Sequence, residues 1–261
     1  MHADRWLVPF KNSVRPDNAF LRALNEESFT RLAPHLETMD VPNGFLLSPR
    51  RDNVAHLYFP VSCLLNLQGE LADGATSEVA VISHHGFFGA AELLGVARAG
   101  GVVSAIHGGR LVRVRASVAA PILRSSPTVV DDMLRYIVFM MGVSSITIIC
   151  QRHHSVEQRL ARWLTLMRMQ SCADTLDVTH DQLGRLLGVR REGVSETMKQ
   201  FEHAGLTAPG RGHVHIIDPM GLHDRSCGCV KEIKSLYARY FPQRTFDDAF
   251  ELSARVYAKT G

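Results

Sequence analysis

The stretch Thr179 to Phe201, THDQLGRLLGVRREGVSETMKQF, constrains this chain more than any other. Thr179 and Gln182 have the spacing of a capping box, in which a hydroxyl and an amide side chain satisfy the first N–H groups of a helix. Leu183 and Leu187 lie one turn apart on one face, and Gly188 supplies the left-handed residue that ends that helix. Gly184 sits where a side chain would obstruct a second helix crossing closely, and Val189 plugs the corner. The second helix turns Val194, Met198 and Phe201 inward at i, i+4, i+7, leaving Arg191, Glu192, Ser195, Glu196 and Lys199 on its other face. Two apolar stripes meeting at a glycine corner predict a helix-turn-helix, whose second helix can enter a major groove.

The following residues sharpen that reading. Leu206 to Ile217, LTAPGRGHVHII, reads as two short strands around Pro209-Gly210-Arg211-Gly212, a wing whose tip carries Arg211 within reach of a phosphate. Upstream, Ser155 and Gln158 repeat the capping-box spacing before Leu160, Trp163, Leu164 and Met167. The bland alternative is a helical hairpin packed in a core with solvated charges; the wing and the capped helix together favour DNA binding.

The rest of the chain has two further textures. Phe20, Leu24, Phe29, Leu32 and Leu36 keep near-helical spacing. From Val41 to Arg115 come short apolar runs broken by Gly, Pro and Asn: Phe45–Leu47, Leu57–Phe59, Cys63–Leu67, Val79–Ile82, Val102–Ile106 and Leu111–Val114. The last alternates with Arg110, Arg113 and Arg115 as a half-buried strand would, and the series suggests a small sandwich or barrel-like roll. At Ser126-Pro127, a plausible cap and first helical residue, a long helix begins. Val130, Met133, Leu134, Ile137, Met141, Ser144 and Ile148 share one face, and the opposite face is also poor in charge. A helix apolar nearly all round must be covered on several sides, which favours pairing with the same helix of a second subunit over a central helix in a monomeric core. Gly142 weakens it locally. Its uncharged run, between Arg135 and Arg152, falls short of the ~18 residues of a spanning helix, so no membrane contact is expected.

Composition fits this layout. Hydrophobic residues at 46% and charged residues at 21% belong to a globular chain. A net charge of +3 permits a polyanionic partner without demonstrating one. Five widely spaced cysteines argue against a disulfide framework and for a reducing compartment; with no targeting segment in view, a cytoplasmic location is expected.

The segments HSVEQRLARWL (His154–Leu164), THDQLGRLLGVRREGVSETM (Thr179–Met198) and HAGLTAPGRGHVHIID (His203–Asp218) resemble the Crp/Fnr family of bacterial transcription regulators, and the resemblance extends over nearly the whole chain. It implies an α+β fold: an N-terminal cyclic-nucleotide-binding-like β-roll, a long dimerisation helix and a C-terminal winged helix-turn-helix. The corresponding segments are an arm (1–19), the roll (20–125), the dimer helix (126–152), the DNA-binding domain (153–221) and a helical C-terminal extension (222–261). It also implies a homodimer on palindromic double-stranded DNA, with RNA polymerase as a further candidate partner. By that resemblance Arg191 and Glu192 take base-reading positions, Arg suiting guanine O6 and N7 and Glu suiting cytosine N4. Ser195 is a third groove contact, and Arg190, Lys199 and Arg211 face the DNA backbone. Three departures bear on the operator: Glu196 stands where another base-reading Arg is usual, Thr197 replaces an apolar residue, and Arg190 opens the second helix without a Ser or Thr cap.

The sensor chemistry is less defined. In Gly86–Gly109 the residues nearest a cyclic-nucleotide pocket are Gly89, Glu92 and Ser104. Gly89 and Glu92 are separated by two alanines, Val103 rather than Arg precedes Ser104, and Arg98 is out of place, so the bidentate phosphate fork is missing. An iron–sulfur cluster needs several close thiolates, and no cysteine precedes Cys63. Haem would rest on a lone ligand among His84, His85 and His107. Cyclic nucleotide, iron–sulfur cluster and haem are therefore all disfavoured as cofactors. Cys63 and Cys150 read as buried small hydrophobes. His223, Cys227 and Cys229 offer only three ligands at a spacing unlike a closed zinc site, and read as packing residues with no metal assigned. His153-His154 reads as a solvated hinge. No catalytic motif emerges, so an enzyme is not expected. A ligand or redox sensor acting through protein contacts with a helix-turn-helix degenerate for DNA stays open as an alternative; a metalloenzyme built on His84–His107 lacks paired ligand spacing.

Overall fold

The computed structural model describes residues 7–8, 15–48, 56–95 and 101–241. The chain divides into two compact units, one of Met1–Leu67 with Val81–Val138 and the other of Gln68–Ala80 with Phe139–Gly261.

In the first unit the apolar pattern expected over Phe20–Leu36 is cut into α1 (Ala19–Ala23), α2 (Glu26–Leu32) and a short 3-10 turn (Ala33–His35). The cut has a local cause: the Asn18 and Asn25 side chains each accept backbone N–H bonds, starting a new helix at each asparagine. Asn18 is completely buried yet satisfied, its amide also donating to the Pro60 and Gly86 carbonyls at 2.9 Å. The strands are β1 (Leu7–Val8), β2 (Glu37–Val41), β3 (Leu46–Ser48), β4 (His56–Pro60), β5 (Leu64–Glu70), β6 (Thr76–Ile82), β7 (Val102–His107) and β8 (Gly109–Arg115), with α3 (Ala90–Leu94) before β7. They form two four-stranded sheets, β1-β2-β8-β4 and β3-β7-β5-β6. The far end of the β5–β6 hairpin belongs to the second unit.

Strand β8 departs from the expected half-buried alternation. It lies between β2 and β4 with Leu111, Val112, Arg113 and Val114 all buried. Arg113 is tolerated because its Nε donates to Glu37 Oε2 at 2.7 Å, pairing the buried charge. Phe20, Phe59, Phe87 and Tyr136 build an aromatic core, the Phe20–Phe87 and Phe87–Tyr136 rings lying 4.8 and 5.0 Å apart.

After α4 (Ala116–Arg124), α5 runs from Pro127 to His153. Ser126 stands before it, but its hydroxyl bonds to the Thr128 hydroxyl and accepts from the Asn25 amide. Val129, Tyr136, Phe139, Thr147 and Cys150 are buried, whereas Leu134, Val138, Met141, Ile148 and Ile149 are exposed at 44–66%. The exposed stripe therefore includes Val138 and Ile149 and leaves Val130, Met133, Ile137 and Ser144 partly covered. By length and composition α5 is long and apolar enough to cross a membrane, with 28% of its most apolar stretch buried. The uncharged run alone understates that, because the helix extends past both flanking arginines.

The second unit contains α6 (Val156–Ser171), β9 (Thr175–Leu176), α7 (His180–Leu187), α8 (Arg191–His203), β10 (Thr207–Pro209), β11 (Val214–Ile216), α9 (Pro219–Arg225) and α10 (Cys229–Tyr240). Both expected capping boxes form, Ser155 with Gln158 and Thr179 with Gln182. The core centres on α6, whose Leu160, Ala161, Trp163, Leu164 and Met167 are at most 3% exposed. Gly142 has a packing reason: a Cβ there would lie 2.6 Å from a methyl of Leu236 on α10. The Tyr237 ring stands edge-on to Phe139 at 5.8 Å.

Candidate nucleic-acid interface

Helices α7 and α8 meet at the glycine corner read from the sequence. Gly188 adopts φ +63° and Val189 N–H donates to the Gly184 carbonyl at 2.9 Å, closing the turn. A Cβ on Gly184 would come within 3.0 Å of the Val189 carbonyl oxygen, so the second helix can cross closely only over glycine. On α8, Val194, Thr197, Met198 and Phe201 are buried. The Thr197 hydroxyl donates to the Gly193 carbonyl at 2.9 Å, so this polar replacement at an inward position leaves its hydroxyl paired.

The opposite face of α8 carries Arg191, Glu192, Glu196 and Lys199, all exposed. Ser195 is half-buried, and its Oγ lies 3.0 Å from His180 Nδ1 on α7, a bond that fixes the two helices to each other. Arg190 precedes α8 and makes no side-chain cap, which leaves the first N–H groups of that helix open to water or an anion. The arginine before the corner, Arg185, is paired with Asp181 on its own helix.

The wing forms as expected: β10 and β11 pair antiparallel with Pro209 opposite Val214, and β9 adds a third strand on the far side of β11. Arg211 stands exposed in the connecting turn. The third strand was not read from the sequence; two residues give too short a pattern to register.

The residues named for an effector pocket lie on two elements, α3 and β7. Gly89 opens α3 with φ +117°, and a Cβ there would sit 2.9 Å from a Leu57 methyl and 3.0 Å from the His56 carbonyl, so backbone packing accounts for this glycine. Glu92 lies in the first turn of the same helix, and Ser104 pairs with Leu46 between β7 and β3. Arg98 lies outside the described residues.

The thiols require a correction. Cys63 is buried as expected, and burial pushes its thiol up to about 12. Cys150 is also buried, but in company: Cys227, Cys229 and His154 bring their ligand atoms together with its own, all within 4.8 Å of one another. His223 is not in this group; it lies in α9, where its carbonyl caps the helix end by accepting from Ser226. His154 is half-buried against Cys229, so only His153 of that pair is exposed. Reading ligands by local spacing missed the set because Cys150 and His154 precede Cys227 by more than 70 residues.

Residues 158–225 match the family model described as a Crp-like helix-turn-helix domain. This segment is a Crp-like helix-turn-helix domain. The chain around it has the fold of Crp/Fnr regulators. A crp/fnr-family transcriptional regulator from Eubacterium rectale superposes with a TM-score of 0.66 at 18% identity, covering 80% of this chain and 98% of that one. A CRP-family regulator from Thermus thermophilus gives 0.60 at 17% identity over 71% and 94%. FixK2 from Bradyrhizobium japonicum gives 0.59 at 15% identity over 73% and 96%. No curated protein sequence matches the chain. The Crp-like domain and the surrounding fold together make this a Crp/Fnr-type architecture with its helix-turn-helix at α7–α8.

Proposed function

We propose that this chain is a homodimeric, sequence-specific DNA-binding transcription regulator that grips a palindromic operator. The observation that carries the reading is the two-faced helix α8, anchored by Val194, Met198 and Phe201 and offering Arg191, Glu192 and Lys199 outward. Arg191 and Glu192 read bases in the major groove. Ser195 spends one hydrogen bond on His180 and keeps capacity for a third groove contact. Arg190, Lys199 and Arg211 neutralise phosphates and set register.

The homodimer is supported by the exposed stripe of α5. Leu134, Val138, Met141 and Ile148 recur at intervals of four, three and seven residues, the spacing of a helix–helix seam. A helix sunk in lipid would need no buried opposite face, yet Tyr136, Phe139, Thr147 and Cys150 are covered on that side. Two recognition helices held ~34 Å apart would then meet successive major grooves.

Selection of bound duplexes from a random pool tests the proposal. A two-fold symmetric sequence should emerge, and its affinity, followed by anisotropy, should fall steeply as salt rises. Failure to retain any duplex in dilute buffer sinks it.

A further inference from the structure

Three of the chain's five cysteines converge on one histidine, within the second unit alone. Cys150 and His154 stand four residues apart at the end of α5, on one face of the same turn; the His154 N–H still donates to the Cys150 carbonyl at 3.1 Å. Cys227 lies between α9 and α10, and Cys229, beyond Gly228, opens α10. Cys150 Sγ lies 3.5 Å from Cys227 Sγ, and Cys229 Sγ lies 3.6 Å from His154 Nδ1. A tetrahedral zinc with ~2.3 Å bonds to sulfur and ~2.0–2.1 Å to nitrogen spaces its ligand atoms about 3.5–3.8 Å apart. We propose that Cys150, His154, Cys227 and Cys229 hold one zinc ion in a closed Cys3His site that ties the end of α5 to the α9–α10 junction.

Burial and charge favour this over simple packing. The three thiols are at most 6% exposed and, with Ile146, make a small core of their own. An imidazole nitrogen turned into such a core adds nothing to apolar contact, but it completes a four-donor set. Binding displaces three thiol protons to solvent and leaves three thiolates, a neutral imidazole and a divalent cation, one net negative charge. Arg162, 3% exposed, is a charged neighbour of Cys150 and Cys229 and offsets that charge. Soft thiolates with one imidazole suit zinc rather than magnesium or calcium. An iron–sulfur cluster would divide the four ligands among two or more irons and so spread the donors more widely than a single ion does.

The full-length protein, purified anaerobically with a reductant, tests the site. Elemental analysis should find one zinc per chain. Exchange for Co2+ should give the intense visible bands of a tetrahedral ion and a thiolate-to-metal charge-transfer band. His154→Ala, at the half-buried corner, should weaken Co2+ by more than the roughly 10–100-fold that loss of an outer partner costs, with helical content retained. Cys229→His, a ligand-for-ligand exchange, should keep the ion with an altered spectrum, and Cys172→Ser, outside the set, should leave it unchanged. Zinc-free wild-type protein that takes up no Co2+, iron accompanied by labile sulfide, or a Cys150–Cys227 disulfide in reduced preparations would each overturn the proposal. None of these readouts depends on DNA binding, so the site and the regulator reading fail separately.

Discussion

Helices α5 and α8 are both split lengthwise into a covered and an uncovered face, and the two uncovered faces differ in kind. On α8 it is charged, with Arg191, Glu192, Glu196 and Lys199 in solvent. On α5 it is apolar, with Leu134, Met141 and Ile148 more than half exposed. Both use the same 3.6-residue period. The difference lies in the partner each surface suits: a charged face can stay in water until it meets a polyanion, whereas an apolar stripe gains by being covered. On the proposed reading, the charged face of α8 addresses DNA and the apolar stripe of α5 a second copy of the chain.

The largest expected effect falls on the covered face of α8. Phe201 is 1% exposed, and Phe201→Ala should cost ~3–5 kcal/mol of stability, read as a lowered thermal midpoint. If Phe201→Ala melts like wild type, α8 is not anchored as described. Next comes the uncovered face of α5. Met141 is 65% exposed in the single chain; Met141→Glu should forfeit about 1.5–3 kcal/mol per subunit of apolar burial at the seam and shift light-scattering mass toward the monomer. An unchanged dimer would move the interface elsewhere. The uncovered face of α8 should respond differently again. Arg191→Ala should leave the melting point alone and cost ~1–3 kcal/mol at one base position, while Arg211→Ala weakens all sequences alike. Equal loss on every operator variant for Arg191→Ala would remove the contrast between the two arginines.

What could be read from the sequence follows from how far apart the interacting residues are. The α7–α8 corner was legible because each signal lies no more than five residues from its partner: Thr179 with Gln182, Gly184 with Val189, Val194 with Met198. The strands of the roll were legible as apolar runs, but the two-sided burial of β8 was not, since it depends on β2, β4 and the distant Glu37. Packing also supplied what spacing lacked at the thiol cluster, where Cys150 and Cys227 are 77 residues apart. His223 looked like a ligand only because it is near Cys227 in sequence. Gly142 looked like a helix defect until Leu236 was seen to occupy its empty side.

Helix α6 departs from both of these patterns, because charge lies on its covered side, and it sets the smallest test: a slope rather than a midpoint. Arg159 and Arg162 are buried there, and Glu78, from strand β6, is 8% exposed and accepts from Trp163 Nε1 at 2.9 Å. Burial holds the Glu78 carboxyl above the ordinary carboxylate range, against the opposing pull of the Arg162 charge and the Trp163 bond. A carboxyl whose affinity for its proton is raised by folding binds more protons folded than unfolded. Its contribution to stability is therefore full below the unfolded value, ~4.3 for a glutamate, and is lost as pH rises through the higher folded value. Glu78→Gln keeps an oxygen to accept the Trp163 N–H and removes the ionisation. Denaturation of both proteins across mildly acidic to neutral pH should show the variant losing less stability as pH rises. A wild-type curve that climbs with pH over that window, with Glu78→Gln climbing less, would mean that the carboxylate is stabilised by Arg162 more than burial penalises it, and that α6 buries a working ion pair.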